Sequence, residues 1–194
     1  LLRQPQREAG DDFVAIDAAT RRNLELTRTL SGEKNGSLLS VVDRTVTAAG
    51  ARLLYRRITT PSQRLDTIDE RASSVQFFCE NSGVRLALRG ALKQLPDIER
   101  ALGRLALQRG GPRDLVYLSN GVAQAAQVYE LLERHGLPKL LAELKTNLVG
   151  HDALLLELDQ ALVADPPLIA RDGGFVAAGY SDELDGVTSL RDDA

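Results

Sequence analysis

The stretch of this chain that comes nearest to a phosphate-binding loop is residues 32–37, which read GEKNGS. Such a loop needs the pattern GxxxxGK[ST], because its backbone amides cradle a phosphate while the lysine and the hydroxyl reach the terminal phosphate and magnesium. Residues 32–37 are too short for this pattern and have no lysine after the second glycine. We therefore expect a surface connection here, without nucleotide binding or ATP hydrolysis.

The other residue types that commonly carry catalysis are sparse and unfavourably spaced. His135 and His151 are the only histidines, and apart from the adjacent Asp152 neither has a cysteine, histidine or carboxylate at the spacing of a metal site. No GxSxG motif occurs, and the single Cys79 lies in a helical pattern, where we expect a small buried side chain. The sequence predicts no catalytic, cofactor-binding or metal-binding residue, and hence no enzyme activity in this chain.

Arginine is the residue type that clusters. Arg52, Arg56 and Arg57 lie close together in a helical pattern, with Arg44 a little upstream. On the flank of one helix these side chains can meet the phosphate groups of DNA. Arginine stems also cover neighbouring helices and pair with carboxylates, and this structural interpretation is the favoured one. Contact with DNA is the alternative interpretation of this arginine cluster.

The composition bounds the function further. The chain has 194 residues, of which 43% are hydrophobic and 26% charged, as in an ordinary soluble globular protein. Its net charge of -3 provides no global positive field for nucleic acid, so this chain is not expected to be the main DNA-gripping surface. No apolar run approaches the roughly 18 residues of a membrane span, and residues 1–10 lack the apolar core of a signal peptide. A cytoplasmic location without membrane contact is the expectation.

The elements that position these residues are predicted to be helices. Leucine and alanine dominate, while aromatic residues make up only 4% of the chain, a bias that favours helices over sheets. Side chains with capping chemistry precede several apolar repeats, and Thr60 is followed by Pro61, which should end a helix. The caps that we predict are Asp17, Ser37, Thr47, Asp66, Asp97, Asp152 and either Ser181 or Asp182.

The clearest periodicity runs over residues 115–132, where apolar residues alternate at spacings of three and four. This pattern predicts a long helix packed along another helix. Two short regions are predicted to be extended instead. Residues 24–26 alternate, and residues 168–170 and 175–177 flank a glycine pair that suits the turn of a short β-hairpin.

Four strings of the sequence resemble a known protein family. DAATRRNLELTRTLSG and DRTVTAAGARLLYRRITTP, at residues 17–32 and 43–61, resemble the start of the core, or lever, domain of the MutS family of DNA mismatch-repair ATPases. LGRLALQRGGPRDL and PPLIARDGGFVAAGYSDELD, at residues 102–115 and 166–185, occur in the order and at roughly the spacing of that family. The resemblance covers about residues 17–190, nearly the whole chain.

The resemblance implies an all-α, multi-helix core domain of the MutS type over residues 13–180. Residues 1–12 would be a linker or the end of the preceding connector domain, and residues 181–194 the start of a helix leading toward a clamp domain. A chain that begins without methionine and stops inside a helix is expected to be a piece of a longer protein. In that family ATP and magnesium bind a later domain, so this chain should hold neither. The family's mismatch-reading Phe-x-Glu motif is also expected elsewhere, because the match at residues 78–80 falls inside a helical pattern.

The function implied by the resemblance is mechanical. The core of that family couples the binding of mismatched duplex DNA to the ATPase, so the connector, clamp and ATPase domains and, through the full-length protein, DNA are the expected partners. Arg113 and Asp114 resemble a loop where domains meet, which implies an interdomain contact, although initiation of a helix by Pro112 and Asp114 explains them equally well. We also expect exposed apolar stripes on residues 115–132 or 140–162 to self-associate. An unrelated helical adaptor that binds a partner helix is the alternative function.

Overall fold

The computed structural model describes residues 12–192, and over this range the protein is all-α, as predicted. None of the helices in this range combines the length and the apolar character that crossing a membrane requires. One turn of 3-10 helix, Ala170–Asp172, lies near the end. The α-helices are α1 (Ala18–Asn23), α2 (Leu38–Val42), α3 (Ala48–Thr59), α4 (Leu65–Glu80), α5 (Ser82–Lys93), α6 (Ile98–Ala106), α7 (Pro112–Glu133), α8 (Lys139–Thr146), α9 (Asp152–Ala161) and α10 (Asp182–Asp192).

Two compact units make up the described chain. The N-terminal unit contains the described residues up to Arg89 together with His135–Glu143, and the C-terminal unit contains Gly90–Arg134 and the described residues from Leu144 onward. α1 to α4 therefore belong to the N-terminal unit, and α6, α7, α9 and α10 belong to the C-terminal unit. α5 and α8 each contribute residues to both units.

The helices of the N-terminal unit begin where side-chain caps are available. Asp17, Ser37 and Thr47 each accept a hydrogen bond from a backbone N–H in the first turn of α1, α2 and α3, respectively. Each cap satisfies a donor that the helix itself leaves without a partner. α3 stops just before Thr60, as the following proline requires. These predictions are confirmed.

Two predictions for this unit are wrong. Asp66 does not cap α4, because the helix begins two residues earlier than predicted, with Arg64 at its N-cap, which leaves Asp66 in the first turn. Residues 24–26 form a turn rather than an extended segment, since Glu25 adopts a left-handed backbone conformation with a φ of 49°. The carboxylate of Glu25 holds this turn by accepting a hydrogen bond from the backbone N–H of Leu30 at 2.6 Å.

The C-terminal unit is organised around α7, which has 22 residues and confirms the predicted long helix. α6 and α9 pack against it, and Asp97 caps α6 as predicted. Asp152 does not cap α9, because His151 takes the N-cap position and Asp152 is the first helical residue. Gly121 of α7 lies directly against the side chain of Ile98 in α6, so a larger residue at this position would collide with α6. The buried apolar side chains of the three helices are Ala101, Val128, Leu132 and Leu158.

The predicted hairpin between residues 168–170 and 175–177 does not form. Residues 175–177 instead pair with the chain that leaves α9, through hydrogen bonds from the N–H of Val163 to the carbonyl oxygen of Phe175 and from the N–H of Ala177 to that of Ala161. The intervening residues take up the 3-10 turn. The glycine pair does supply positive φ, 69° at Gly173 and 67° at Gly174. The glycine geometry was therefore predicted correctly, and the pairing partner was not.

Several large apolar side chains of the described residues remain exposed. On α8 and α9, Leu144 and Leu154 are exposed, as expected for part of residues 140–162. On α7 the residues of the predicted stripe are half-buried or buried. Cys79, expected to be buried, is exposed. Self-association through the exposed stripe stays a prediction.

Candidate functional site

The junction between α6 and α7 brings a buried carboxylate against an arginine. Asp114, in the first turn of α7, is only 7% exposed. The guanidinium of Arg104, near the end of α6, has its Nε atom 3.1 Å from Oδ1 and 3.2 Å from Oδ2 of Asp114. A terminal nitrogen of the same guanidinium also donates to Oδ1. A fork of this kind fixes the orientation of both side chains.

The same carboxylate caps α7. Its Oδ2 atom accepts a hydrogen bond from the N–H of Gly111 at 3.0 Å, and Pro112 occupies the first helical position, where a missing N–H costs nothing. A negative charge in the first turn also complements the helix dipole. Pro112 and Asp114 therefore do initiate this helix. We call Arg104, Gly111 and Asp114 together the α6–α7 corner.

Hydrogen bonding sets the charge state of the corner. The guanidinium of Arg104 lowers the pKa of Asp114 below its ordinary value of 3.8, against the opposing effect of burial, and the N–H of Gly111 lowers it further. The carboxylate in turn raises the pKa of Arg104. Both groups are thus charged at neutral pH, and the corner is an ion pair whose two charges compensate each other.

Arg113 and Gly111 tie the corner to the segment that follows α9. The Nε atom of Arg113 donates to the carbonyl oxygen of Pro166 at 3.1 Å, and its guanidinium lies 3.8 Å from the carboxylate of Asp165. Gly111 lies against the carbonyl oxygen of Leu168, where a β-carbon would collide. The corner therefore holds the end of α6, the start of α7 and the segment after α9 in one arrangement.

Arg113 and Asp114, the two residues predicted to make an interdomain contact, differ in their exposure. Asp114 is buried, and its carboxylate is engaged by Arg104 and Gly111, so its role is to position α6 and α7. The side chain of Arg113 is 48% exposed and keeps guanidinium hydrogens beyond its bond to Pro166. Of the pair, only Arg113 is placed to contact a further domain, and that contact stays a prediction.

The arginines considered for DNA contact lie on α3 and just before it. Arg56 and Arg57 are exposed in the last turn of α3, where positive charge complements the C-terminal end of the helix. Arg52 lies one turn earlier and is half-buried, and Arg44 is exposed on the connection before α3. All four arginines belong to the N-terminal unit, whereas the α6–α7 corner belongs to the C-terminal unit.

Like charges surround Arg57. Burial lowers the pKa of its guanidinium, and the neighbouring charges of Arg71 and Arg56 lower it further. No carboxylate of the described residues offsets this shift. The end of α3 therefore presents positive charge that an anion can neutralise, as a DNA phosphate or an acidic side chain would.

The local structure of residues 32–37 does not fit a phosphate-binding loop. The hydroxyl of Ser37 donates to the carbonyl oxygen of Lys34 at 2.7 Å and caps α2. Because Ser37 is also buried, its hydroxyl is not available to a phosphate or a magnesium ion. In the described part of the chain, no group of three or more acidic, histidine or cysteine side chains is arranged to hold a metal ion. Phe78 is half-buried in α4, with its ring edge-on to that of Phe77.

Sequence reasoning identified Asp114 and missed its partner Arg104. The two residues lie ten positions apart on different helices, so no helical periodicity connects them. The available signal was the Gly110-Gly111-Pro112 break between an arginine and an aspartate, because such a break lets the second helix pack back on the first.

The fold and the corner together define an all-α domain built on one long central helix. The family model for MutS domain III matches residues 19–194, nearly the whole chain. The chain therefore belongs to the MutS domain III family, and the resemblance found in the sequence is confirmed.

Relatives with established names agree with this assignment. The chain is 55% identical over 192 residues to the DNA mismatch repair protein MutS of Ruegeria pomeroyi, with 99% of the chain and 22% of the relative covered. It is 53% identical over 193 residues to the proteins of the same name from Roseobacter denitrificans and Dinoroseobacter shibae, with 100% of the chain and 22% of each relative covered. The chain thus spans 22% of the length of these relatives.

Proposed function

We propose that this chain is the core, or lever, segment of a DNA mismatch repair protein and couples the binding of mismatched DNA to an ATPase elsewhere in the same protein. Its membership of the MutS domain III family, with relatives named DNA mismatch repair protein MutS, carries the proposal. ATP and magnesium would bind outside this chain, because residues 32–37 do not fit a phosphate-binding loop. A cytoplasmic site of action is part of the same proposal.

A lever needs stiff elements whose ends are held in a defined arrangement. α7 has 22 residues, which at a rise of 1.5 Å per residue corresponds to roughly 33 Å. The Arg104–Asp114 ion pair and the Gly111 contact hold its first turn against α6 and the segment after α9. A displacement applied to one end of α7 would therefore be carried along the helix rather than absorbed at the corner.

The proposed partners are the connector, clamp and ATPase domains of the parent protein, and mismatched duplex DNA through that protein. Arg113 and the arginines at the end of α3 are the proposed contacts, because they are exposed and Arg57 lies among like charges. Asp114 is proposed to position α6 and α7 instead of making the contact itself.

The experiment that tests this function uses the full-length parent protein with Arg104→Gln, which removes the fork to Asp114 but keeps an aliphatic stem. We expect mismatched-duplex binding and basal ATP hydrolysis to stay close to wild type. Stimulation of ATP hydrolysis by the mismatch should fall by about two- to thirtyfold, the range that corresponds to coupling changes of about 0.5–2 kcal/mol. The three quantities are measured on the same preparation.

Arg100→Gln is the matched control, because Arg100 also lies on α6 but makes only an exposed contact of 3.5 Å with Asp97. It should leave mismatch stimulation unchanged. Equal losses in Arg104→Gln and Arg100→Gln, or full stimulation in Arg104→Gln, would contradict a coupling role for the corner.

A further inference from the structure

A second basic site lies in the N-terminal unit, at the turn that joins α1 to α2. Its cavity has a volume of about 380 Å³ and is open to solvent. Arg21 and Arg22 line it from the last turn of α1, and Arg28 lines it from the following loop. Ala18 and Leu30 supply apolar wall. We call the three arginines with these walls the α1 pocket.

The arginines of the α1 pocket are held by neutral groups. The Nε atom of Arg21 donates to the carbonyl oxygen of Ile16 at 2.9 Å, and a terminal nitrogen of Arg28 donates to the carbonyl oxygen of Gly32 at 2.8 Å. A carbonyl oxygen orients a guanidinium without cancelling its charge. The two side chains are therefore positioned toward the cavity region while their remaining N–H donors stay usable.

The carboxylates nearest in sequence already have backbone partners. Asp17 accepts a hydrogen bond from the N–H of Thr20 at 2.6 Å, and this bond, more than the smaller effect of the Arg21 charge, lowers the pKa of Asp17. Glu25 accepts from the N–H of Leu30 at 2.6 Å. Neither carboxylate lines the pocket. Asp17 offsets part of the charge of Arg21 from outside the pocket, and the remaining positive charge is left for an anion that comes from elsewhere.

The donors that remain favour carboxylates over phosphate. Phosphate sites commonly use backbone N–H groups at a helix N-terminus or in a nest, but here the N–H of Thr29 donates to Glu33 at 2.8 Å and that of Gly32 to Thr29 at 2.9 Å. The hydroxyls of Thr29 and Ser31 bond to each other at 2.8 Å. The ligand must therefore be bound by the planar guanidinium groups and the apolar side chains beside them. Glutamate and aspartate side chains, each a carboxylate on an aliphatic chain, fit this combination.

We propose that the α1 pocket is a docking site for an acidic peptide segment that carries an apolar residue between its carboxylates. Two or more carboxylates engage Arg21, Arg22 and Arg28, and the apolar residue contacts Leu30, which is 57% exposed. This site is separate from the arginines of α3 and from the α6–α7 corner, and it goes beyond the coupling function.

The test measures binding of a fluorescein-labelled peptide of sequence EELEE to the chain by fluorescence anisotropy. Arg22→Glu is the informative variant, because the Arg22 side chain makes no hydrogen bond or ion pair with the described residues, so the change should not disturb the fold. We expect about tenfold weaker binding, as for the loss of a charge-assisted contact together with a new like charge. Binding to the wild type should weaken as ionic strength rises.

Arg171→Glu is the matched control, since it makes the same change of net charge at a side chain that is 85% exposed in the C-terminal unit. It should bind the peptide within about twofold of wild type, the difference expected of a remote exposed charge. If both variants bound the peptide equally weakly, the loss of binding would follow from net charge alone, and the proposal would be overturned. Displacement of the peptide by inorganic pyrophosphate or by duplex DNA at lower concentration than by unlabelled EELEE would overturn it as well, because the pocket would then select phosphate. Circular dichroism of each variant verifies the fold.

Discussion

In the C-terminal unit the guanidinium of Arg104 meets the buried carboxylate of Asp114, whereas in the N-terminal unit the guanidinium of Arg57 lies among the charges of Arg71 and Arg56. The first environment raises the pKa of its arginine, and the second lowers it. The same side-chain chemistry therefore has opposite electrostatic consequences in the two units.

This difference distinguishes the α6–α7 corner, where an arginine stabilises the fold, from the arginines at the end of α3 and in the α1 pocket, which are available to bind a partner. At the α6–α7 corner the Arg104–Asp114 ion pair holds α6 and α7 together. Removal of either charge should therefore lower the stability of the chain. At the end of α3 no described carboxylate offsets the positive charge of Arg57, and the positive charge of the α1 pocket has no described carboxylate in its lining. Its loss should leave stability nearly unchanged and weaken the binding of an anionic partner.

The largest effect on stability is expected from Gly111→Ala, because the new methyl group would collide with the carbonyl oxygen of Leu168, which belongs to the backbone and cannot rotate away. We expect a loss of about 1–3 kcal/mol in the free energy of unfolding, as for overpacked sites. Denaturation in urea, followed by circular dichroism, measures it.

Gly103→Ala is the matched control for this substitution. Gly103 lies within α6 with open space where its β-carbon would be, so alanine should stabilise the chain by about 0.5–1 kcal/mol through helix propensity alone. Stabilisation by both substitutions would show that the corner is looser than the Gly111 contact indicates.

A smaller effect is expected from acid. Because the pKa of Asp114 is lower in the folded chain than its ordinary value of 3.8, its ion pair contributes stability above that value and loses it as the pH falls through the folded-state pKa. Asp114→Asn should remove about 1–2 kcal/mol at neutral pH and should flatten the part of the stability profile between about pH 5 and pH 2. An unchanged profile in Asp114→Asn would mean that other carboxylates account for the acid dependence, such as Asp17 and Asp43, whose pKa values are also lowered by hydrogen bonds from Thr20 and Thr45.

Local chemistry made part of this fold predictable. The caps at Asp17, Ser37, Thr47 and Asp97 depend on one side chain and the backbone three residues later, so a single sequence contains all the information. The long helix α7 follows in the same way from the spacing of its apolar residues.

Two of the incorrect predictions involve a partner distant in sequence or an unusual backbone conformation. Residues 175–177 pair with the segment after α9 and not with their neighbours across the glycine turn, a choice that depends on where α9 ends. Alternation at residues 24–26 indicated an extended segment, but the left-handed conformation of Glu25 closes a turn that its own carboxylate stabilises. The arginine that braces Asp114 was missed for the same reason, because only the packing of α6 on α7 brings it near.

The most direct test of this account compares Arg104→Gln with Arg57→Gln in the isolated chain by urea denaturation under identical conditions. The account predicts that Arg104→Gln lowers the free energy of unfolding, because the buried carboxylate of Asp114 would lose its guanidinium partner, and that Arg57→Gln changes it by no more than about 0.5 kcal/mol. Losses of equal size in the two variants would contradict the distinction between a braced corner and a partner-facing surface.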